Sequence, residues 1–417
     1  MIKIGFMNEL KAAKQIVLTL QKRGYTAYFA GGWVRDLLMQ KPSDDIDIAT
    51  SASIQEIQSL FPKTIPVGIN FGIVIVVMGG HQFEVATFRQ DQEYLDGRRP
   101  VGFTLATPQE DAQRRDFTIN GLFYDPITQE VFDFVGGTND LQQGVIRAIG
   151  DPWIRFKEDK LRMIRAVRYA IRFHFPIDAQ TQEAIKNLAS TLFPSVAIER
   201  VWQEFQKMHL FSHFDQALLS LHELGLLSII FPSLKDLTFQ ELKERVSLIP
   251  TFSLETPLII KVLELFKNPS LKESLDLCDY FKLSKEDKSF VTFFITSTSF
   301  LSPFPLQNSV MEEVDWAHFY ADPRSSLILS ITAEKIDPKH KDDFLKKHAN
   351  HQKTLSTCIH RIQDKNPLVK ACDLKAKGIS PGPEMGRLLK DAERIACNQL
   401  INDKDAIIDI ILNINTK

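Results

Sequence analysis

Long apolar runs are missing from this chain of 417 residues. The longest, such as 72–78, fall well short of the roughly 18 residues that a bilayer span needs. The opening residues lack a signal-peptide pattern, and a soluble protein is expected. Cysteine is scarce as well: Cys278, Cys358, Cys372 and Cys397 stand in no CxxC or metal-ligand spacing. That argues against a disulfide framework and for free thiols in a reducing, cytoplasmic setting. An excess of one charge is also absent, the formal balance being −2, so any contact with nucleic acid must come from local basic patches. None of the ten histidines is followed by aspartate, so a His-Asp phosphohydrolase module is not indicated. Internal repeats and low-complexity segments are lacking too.

What is present suffices for a substantial core, with 44% hydrophobic residues over a length that suggests several domains. The first 150 or so residues carry strand and turn signals. Residues 28–30 lead into Gly31-Gly32, 46–48 alternates apolar with acidic, and 73–78 and 82–88 flank Gly79-Gly80. A Gly-Gly pair accepts the positive φ values of a tight two-residue turn, so the last arrangement reads as a β-hairpin. From about residue 153 the period becomes helical, with candidate helices at 157–172, 179–189, 198–208 and 215–224. Pro232, Pro250, Pro257, Pro303 and Pro305 punctuate this region, and 297–305 reads as a connection between helical subdomains. The expectation is an α+β protein, a mixed α/β head followed by an all-helical body.

Asp45 and Asp47 stand two apart in Asp45-Ile46-Asp47-Ile48. In a strand that spacing puts both carboxylates on one face and both isoleucines on the other. Two hard oxygen anions side by side suit Mg²⁺, which keeps some waters and shares its remaining positions with substrate phosphates. A two-metal site could activate an attacking hydroxyl and stabilise leaving pyrophosphate. The pair alone decides nothing, since roughly six acid-x-acid triplets are expected by chance in such a chain. Its weight comes from the upstream run Gly31-Gly32-Trp33-Val34-Arg35-Asp36, a glycine turn opening a helix, where backbone amides approach phosphate closely. Arg35 could add a charge-assisted contact to a triphosphate.

The run GGxVRDxLxxxxxxDDIDIAT over 31–50 resembles the signature of the class II nucleotidyltransferases, which comprise bacterial tRNA CCA-adding enzymes and bacterial poly(A) polymerases. Further blocks of that family follow in order. They are Phe83-Glu84-Val85-Ala86-Thr87-Phe88-Arg89, Asp96-Gly97-Arg98-Arg99-Pro100, Arg114-Arg115-Asp116-Phe117-Thr118-Ile119-Asn120-Gly121-Leu122, Asp133-Phe134-Val135-Gly136-Gly137 and Glu158-Asp159-Lys160-Leu161-Arg162. The resemblance runs over about 20–235, and Gly382-Pro383-Glu384-Met385-Gly386 looks like the family's tail. It implies a polymerase β-like palm in the head, followed by helical neck, body and tail, with boundaries expected at 1–152, 153–215, 216–340 and 341–417.

By that resemblance Asp45 and Asp47 hold Mg²⁺, Glu84 is a third active-site carboxylate, and Gly32 belongs to the phosphate-binding turn. A salt bridge to a nearby arginine is the alternative for Glu84. Over 155–172 seven basic residues face two acids, leaving a local charge of +5. Leu161, Ile164, Val167 and Ile171 recur at helical spacing and should face the core, with Arg162, Arg165 and Arg168 stepping along the adjoining surface. Asp159 and Arg162, one turn apart, could meet the Watson–Crick edge of cytosine or adenine, both of which carry an amino group. In the family the corresponding pair serves as a protein template that selects CTP and ATP. Arg115, Arg165 and Arg168 map onto nucleotide-contacting positions, whereas Arg114 reads as structural.

Residues 90–100 should form a mobile loop, which the family associates with addition of the terminal adenosine. Pro66-Val67-Gly68-Ile69-Asn70-Phe71-Gly72 resembles the CCA-adding branch rather than the arginine-rich stretch of the poly(A) polymerases. Residues 195–208, with Glu199 and Arg200, resemble a block that buttresses the neck. Lys375, Lys377, Arg387 and Lys390 could hold the tRNA elbow through phosphates. CCA addition to tRNA from CTP and ATP is the expected activity, with tRNA as partner and no membrane. An A-adding enzyme, a poly(A) polymerase, a small-molecule nucleotidyltransferase and a catalytically silent RNA-binding protein remain the alternatives.

Overall fold

Alternation of apolar and polar residues builds the head's sheet, and glycines turn its corners. The computed structural model describes residues 2–43, 45–68, 71–92, 102–301 and 311–414, without the side chains of 2–7 and 414. Helix α1 (Ile2–Lys22) is followed by β1 (Ala27–Ala30), α2 (Gly32–Leu38), β2 (Asp47–Thr50) and α3 (Ile54–Leu60). Then come β3 (Thr64–Gly68), β4 (Ile73–Met78) and β5 (His81–Thr87). The hairpin between β4 and β5 is the expected one: Gly79 and Gly80 have φ of 61° and 83°, which the paired strands require of a tight two-residue turn.

A short ribbon of β6 (Arg89–Asp91) and β7 (Phe103–Leu105) comes next, followed by α4 (Pro108–Gln113), β8 (Leu122–Asp125), β9 (Glu130–Asp133) and α5 (Gly137–Gln143). The ribbon corrects part of the expected loop, because Gln90 and Asp91 pair with Thr104 and Phe103 as strand. The rest of that loop, 93–100, lies outside the described residues, as does the Asp96 to Pro100 block. The seven strands of the main sheet are ordered β3-β4-β5-β2-β1-β8-β9. On one face Phe29, Ile46, Ile48, Val74, Phe83 and Val85 close a core with α1 and α3. On the other, Ala30, Ala49, Phe88, Ala112 and Phe123 form a smaller one.

The helical run opens with α6 (Pro152–Glu158), α7 (Leu161–Phe173), α8 (Ala179–Leu188), α9 (Ile198–His209) and α10 (Phe214–Glu223), then α11 (Leu226–Ile230) and α12 (Phe239–Val246). The single helix expected over 157–172 is thus two helices. Asp159 takes an extended conformation (φ −140°, ψ 104°) between them, and its Oδ1 accepts from the Leu161 amide at 3.1 Å. Apolar spacing continues across the break, which is why periodicity alone did not reveal it. No strand follows β9 among the described residues.

The chain divides into two compact units, 1–243 and 244–417. The second contains α13 (Leu258–Leu263) onward to α22 (Lys404–Ile414), including α15 (Lys285–Leu301), α19 (Ser356–Gln363) and α21 (Pro383–Asn398). Residues 297–301, expected as connection, belong to α15; 302–310 lie outside the described residues. Among the described residues no helix is long and apolar enough to cross a membrane.

Candidate active site

Strand pairing brings the two sequence signals together. Ala30 is registered opposite Asp47 in the antiparallel β1/β2 pair, so the turn at Gly31-Gly32 and the aspartates occupy the same end of the sheet. Gly31 has φ of 68°, and a Cβ there would lie 2.8 Å from Arg115 Nη1. Both facts favour glycine at that corner. Ile46 and Ile48 are buried in the core while Asp45 and Asp47 line a cleft of about 690 Å³, the face assignment expected of the spacing. Asp47 opens β2, and Asp45 stands just ahead of the strand.

Strand β5 runs parallel to β2 with Val85 beside Ile48, which sets Glu84 level with Asp47 on the neighbouring strand. Glu84 is exposed and acts on Asp47 through its charge. Among the described residues no group of three acidic, histidine or cysteine side chains is placed to hold a metal. Burial first, then the charges of Asp45 and Glu84, push the Asp47 carboxyl up to about 7, with Arg115 opposing. The pair is therefore a site of unbalanced negative charge, which a cation would relieve.

The opposite wall is cationic. Eight arginines and Lys207 line the cleft, against five aspartates. Most of these arginines are fixed by partners from other elements. Arg35 is buried and donates to Asp36 Oδ1 at 2.9 Å and Asn120 Oδ1 at 2.5 Å. Arg115 is held by Asp111 at 3.0 Å and donates to the Asn120 carbonyl at 3.3 Å. Arg114 shares the same Asp111 at 2.8 Å, a contact that fits the structural reading. Arg165 grips Asp116 Oδ2 through Nε at 2.8 Å and Nη2 at 2.5 Å. Burial works against the Asp116 charge, yet Arg165 and Asn120 hold its carboxyl well below the usual carboxylate range. Arg168 donates to Glu204 Oε2 at 2.5 Å and stacks over Tyr169 at 4.1 Å.

Asp159 and Arg162 both face the cleft, though not as neighbours on one helix. Arg162 lies in the first turn of α7 and donates to Glu158 Oε2 at 2.8 Å, the Arg155 carbonyl at 3.1 Å and the Arg114 carbonyl at 3.0 Å. Arg200 on α9 reaches Asp159 Oδ2 at 3.3 Å. The Asp159 and Arg162 side chains are thereby held in place by α6 and α9. Pre-ordered side chains lose little entropy when they bind a partner. Of the residues expected to serve catalysis or bind the nucleotide, all but Glu84 line this cleft.

Over 95% of its length the chain is 32% identical to the CCA-adding enzyme of Leuconostoc mesenteroides, covering 94% of that protein. The chain belongs to the CCA-adding enzyme family. Another family member, from Anoxybacillus flavithermus, is 42% identical over 226 residues, 54% of this chain and 56% of that one. The model of the poly A polymerase head domain matches residues 27–147, and that of the "Probable RNA and SrmB- binding site of polymerase A" matches 174–238. The fold is that of the family too. The Bacillus stearothermophilus CCA-adding enzyme, solved in complex with CTP, superposes with a TM-score of 0.76 at 26% identity over 98% of both chains.

Several residues that organise this CCA-adding enzyme's cleft received no role from the sequence. Asp116 and Asn120 lay inside a recognised block, and their spacing of four was the available signal. Asp36 joins Arg35 to Arg172 at 2.8 and 3.0 Å, and Glu204 anchors Arg168. The Asp36–Arg172 and Glu204–Arg168 pairs join distant segments, which no local pattern announces.

Proposed function

We propose that this enzyme adds C, C and A to the 3′ end of tRNA from CTP and ATP, with Asp45 and Asp47 holding Mg²⁺ ions. The observation that carries the reading is the juxtaposition of the aspartate pair with the Gly31-Gly32 turn, across from an arginine wall that presents Asp159 and Arg162. The donor set fits the metal: two hard carboxylates, one of them held near neutrality until a cation arrives, suit an ion that leaves positions for water and phosphate oxygens. When bound, such ions activate the attacking hydroxyl and stabilise the departing pyrophosphate. The chain's own part is to hold the reactants. Gly32, Arg35 and Arg115 border the triphosphate, Arg165 and Arg168 orient phosphate and sugar, and Asp159 accepts from an exocyclic amine while Arg162 donates to the ring. Glu84 tunes the aspartates from the adjacent strand.

In this reading the parts are a head (1–152), a neck carrying base recognition (153–215), a body (216–340) and a tail (341–417) whose Lys375, Lys377, Arg387 and Lys390 meet tRNA phosphates, all at work in the cytoplasm. The test uses purified protein, Mg²⁺, labelled CTP or ATP, and tRNAs lacking CCA, CA or A. Ordered incorporation on all three is expected. Long adenosine tails on generic RNA would sink the tRNA reading, and use of ATP alone on the CC-ended tRNA would make this an A-adding enzyme. Asp45→Ala should abolish all incorporation. Asp159→Ala should retain incorporation but lose discrimination of CTP and ATP from GTP and UTP.

A further inference from the structure

Of the three buried cysteines in the unit 244–417, two lie against one arginine and have no part in nucleotide transfer. Cys358 on α19 and Cys397 on α21 are 3% and 0% exposed, and both are free thiols. One guanidinium joins them: Arg361 Nη2 lies 3.3 Å from Cys358 Sγ and 3.9 Å from Cys397 Sγ. Both sulfurs thus border the same guanidinium nitrogen. Arg361 also donates to Asn402 Oδ1 at 2.9 Å and Glu393 Oε1 at 3.4 Å, while Cys397 Sγ donates to Glu393 Oε1 at 3.5 Å. Arg361 Nε and Glu393 Oε2 are buried without partners among the described residues. A neutral thiol is a poor acceptor. A guanidinium aimed at two sulfurs gains far more if one of them is a thiolate.

We infer that Cys358 and Cys397 form an oxidisable dithiol, in which a hydroperoxide converts Cys358 to a sulfenic acid and Cys397 then closes a disulfide between α19 and α21. In the first step the Cys358 thiolate attacks the peroxide. An S–O bond forms, the O–O bond breaks, sulfur loses two electrons, and the departing hydroxide or alkoxide takes up a proton. In the second the Cys397 sulfur attacks the sulfenic sulfur. The S–S bond forms, the S–O bond breaks, and the Cys397 proton leaves with hydroxide as water. The two roles are separated by environment. Arg361 Nη2 lies nearer to the Cys358 sulfur than to that of Cys397, and a cation beside a thiol favours its thiolate, whereas the Cys397 thiol is engaged with the Glu393 carboxylate, which favours the neutral form. Cys358 is accordingly the attacking sulfur and Cys397 the resolving one.

The test is made on the full-length folded protein with hydrogen peroxide, followed by denaturing alkylation and peptide mass analysis. A cross-linked peptide joining Cys358 to Cys397, two hydrogens lighter than the dithiol and removed by dithiothreitol, is expected while Cys278 and Cys372 are still alkylated. Cys397→Ser should leave a sulfenic acid at Cys358 that dimedone traps, and Arg361→Gln should slow loss of the Cys358 thiol several-fold. Oxidation of the exposed Cys372 with both buried thiols intact would overturn the inference, as would absence of the 358–397 peptide. The readout is mass rather than activity, so the outcome is independent of the nucleotidyltransfer assay.

Discussion

At Asp47 the folded state works against the charge that the reaction needs. Burial, Asp45 and Glu84 push its carboxyl up to about 7, against roughly 4 in an unfolded chain. Between those values the folded protein binds more proton than the unfolded one, so stability falls as pH rises through the window from about 4 to 7. Asp47→Asn should therefore raise the melting temperature of the metal-free protein, and by more at pH 8 than at pH 5. A gain on the order of 1–2 kcal/mol at pH 8 allows for partial solvent screening, while incorporation is lost. Equal gains at both pH values would contradict the electrostatic origin, and added Mg²⁺ should stabilise the wild type but not the variant. The aspartates were legible in the sequence because spacing of two fixes a strand face. Asp116 was not, because what it does depends on Arg165, which lies 49 positions away.

Helices and turns were legible where local chemistry decides them and illegible where side chains from elsewhere do. The Gly79-Gly80 hairpin and α8, α9 and α10 follow from turn residues and apolar period alone. The division between α6 and α7 does not, since Asp159 ends one helix and its side chain takes the first amide of the next, without proline or glycine. The packing of α5 on the turn at Thr118–Asn120 is a second such case, and it gives a sharp contrast between adjacent glycines. A Cβ on Gly137 would stand 2.1 Å from the Thr118 carbonyl oxygen, whereas Gly136, at φ 79°, has nothing within 4 Å. Gly137→Ala must displace backbone and should cost about 2–4 kcal/mol in urea unfolding. Gly136→Ala meets only its positive φ and should cost about 1 kcal/mol. Similar losses for the two would show that the turn yields to α5 rather than holding it.

Across the whole molecule, the formal charge of −2 hides a cleft with nine cationic side chains against five aspartates. The sequence placed Arg35, Arg115, Arg162, Arg165 and Arg168 at a nucleotide site, and the fold adds Arg114, Arg172, Arg200 and Lys207 to the same cleft. The same arginines divide into two electrostatic classes. The Asp116–Arg165 and Glu204–Arg168 pairs are largely buried and little screened by salt, whereas the field that the cleft projects to an arriving triphosphate crosses water and is screened within about 10 Å at 0.1 M ionic strength. Raising salt from about 50 to 500 mM should therefore weaken CTP and ATP binding by on the order of tenfold, with CMP affected much less because it carries fewer charges. Thermal unfolding over the same range should shift little, since the buried pairs that fix the wall survive. Equilibrium titration with each nucleotide, paired with melting curves in the same buffers, separates the two. A triphosphate affinity indifferent to salt would mean that the arginines serve only to hold one another, and that the cleft recognises its nucleotide through the base and the metal alone.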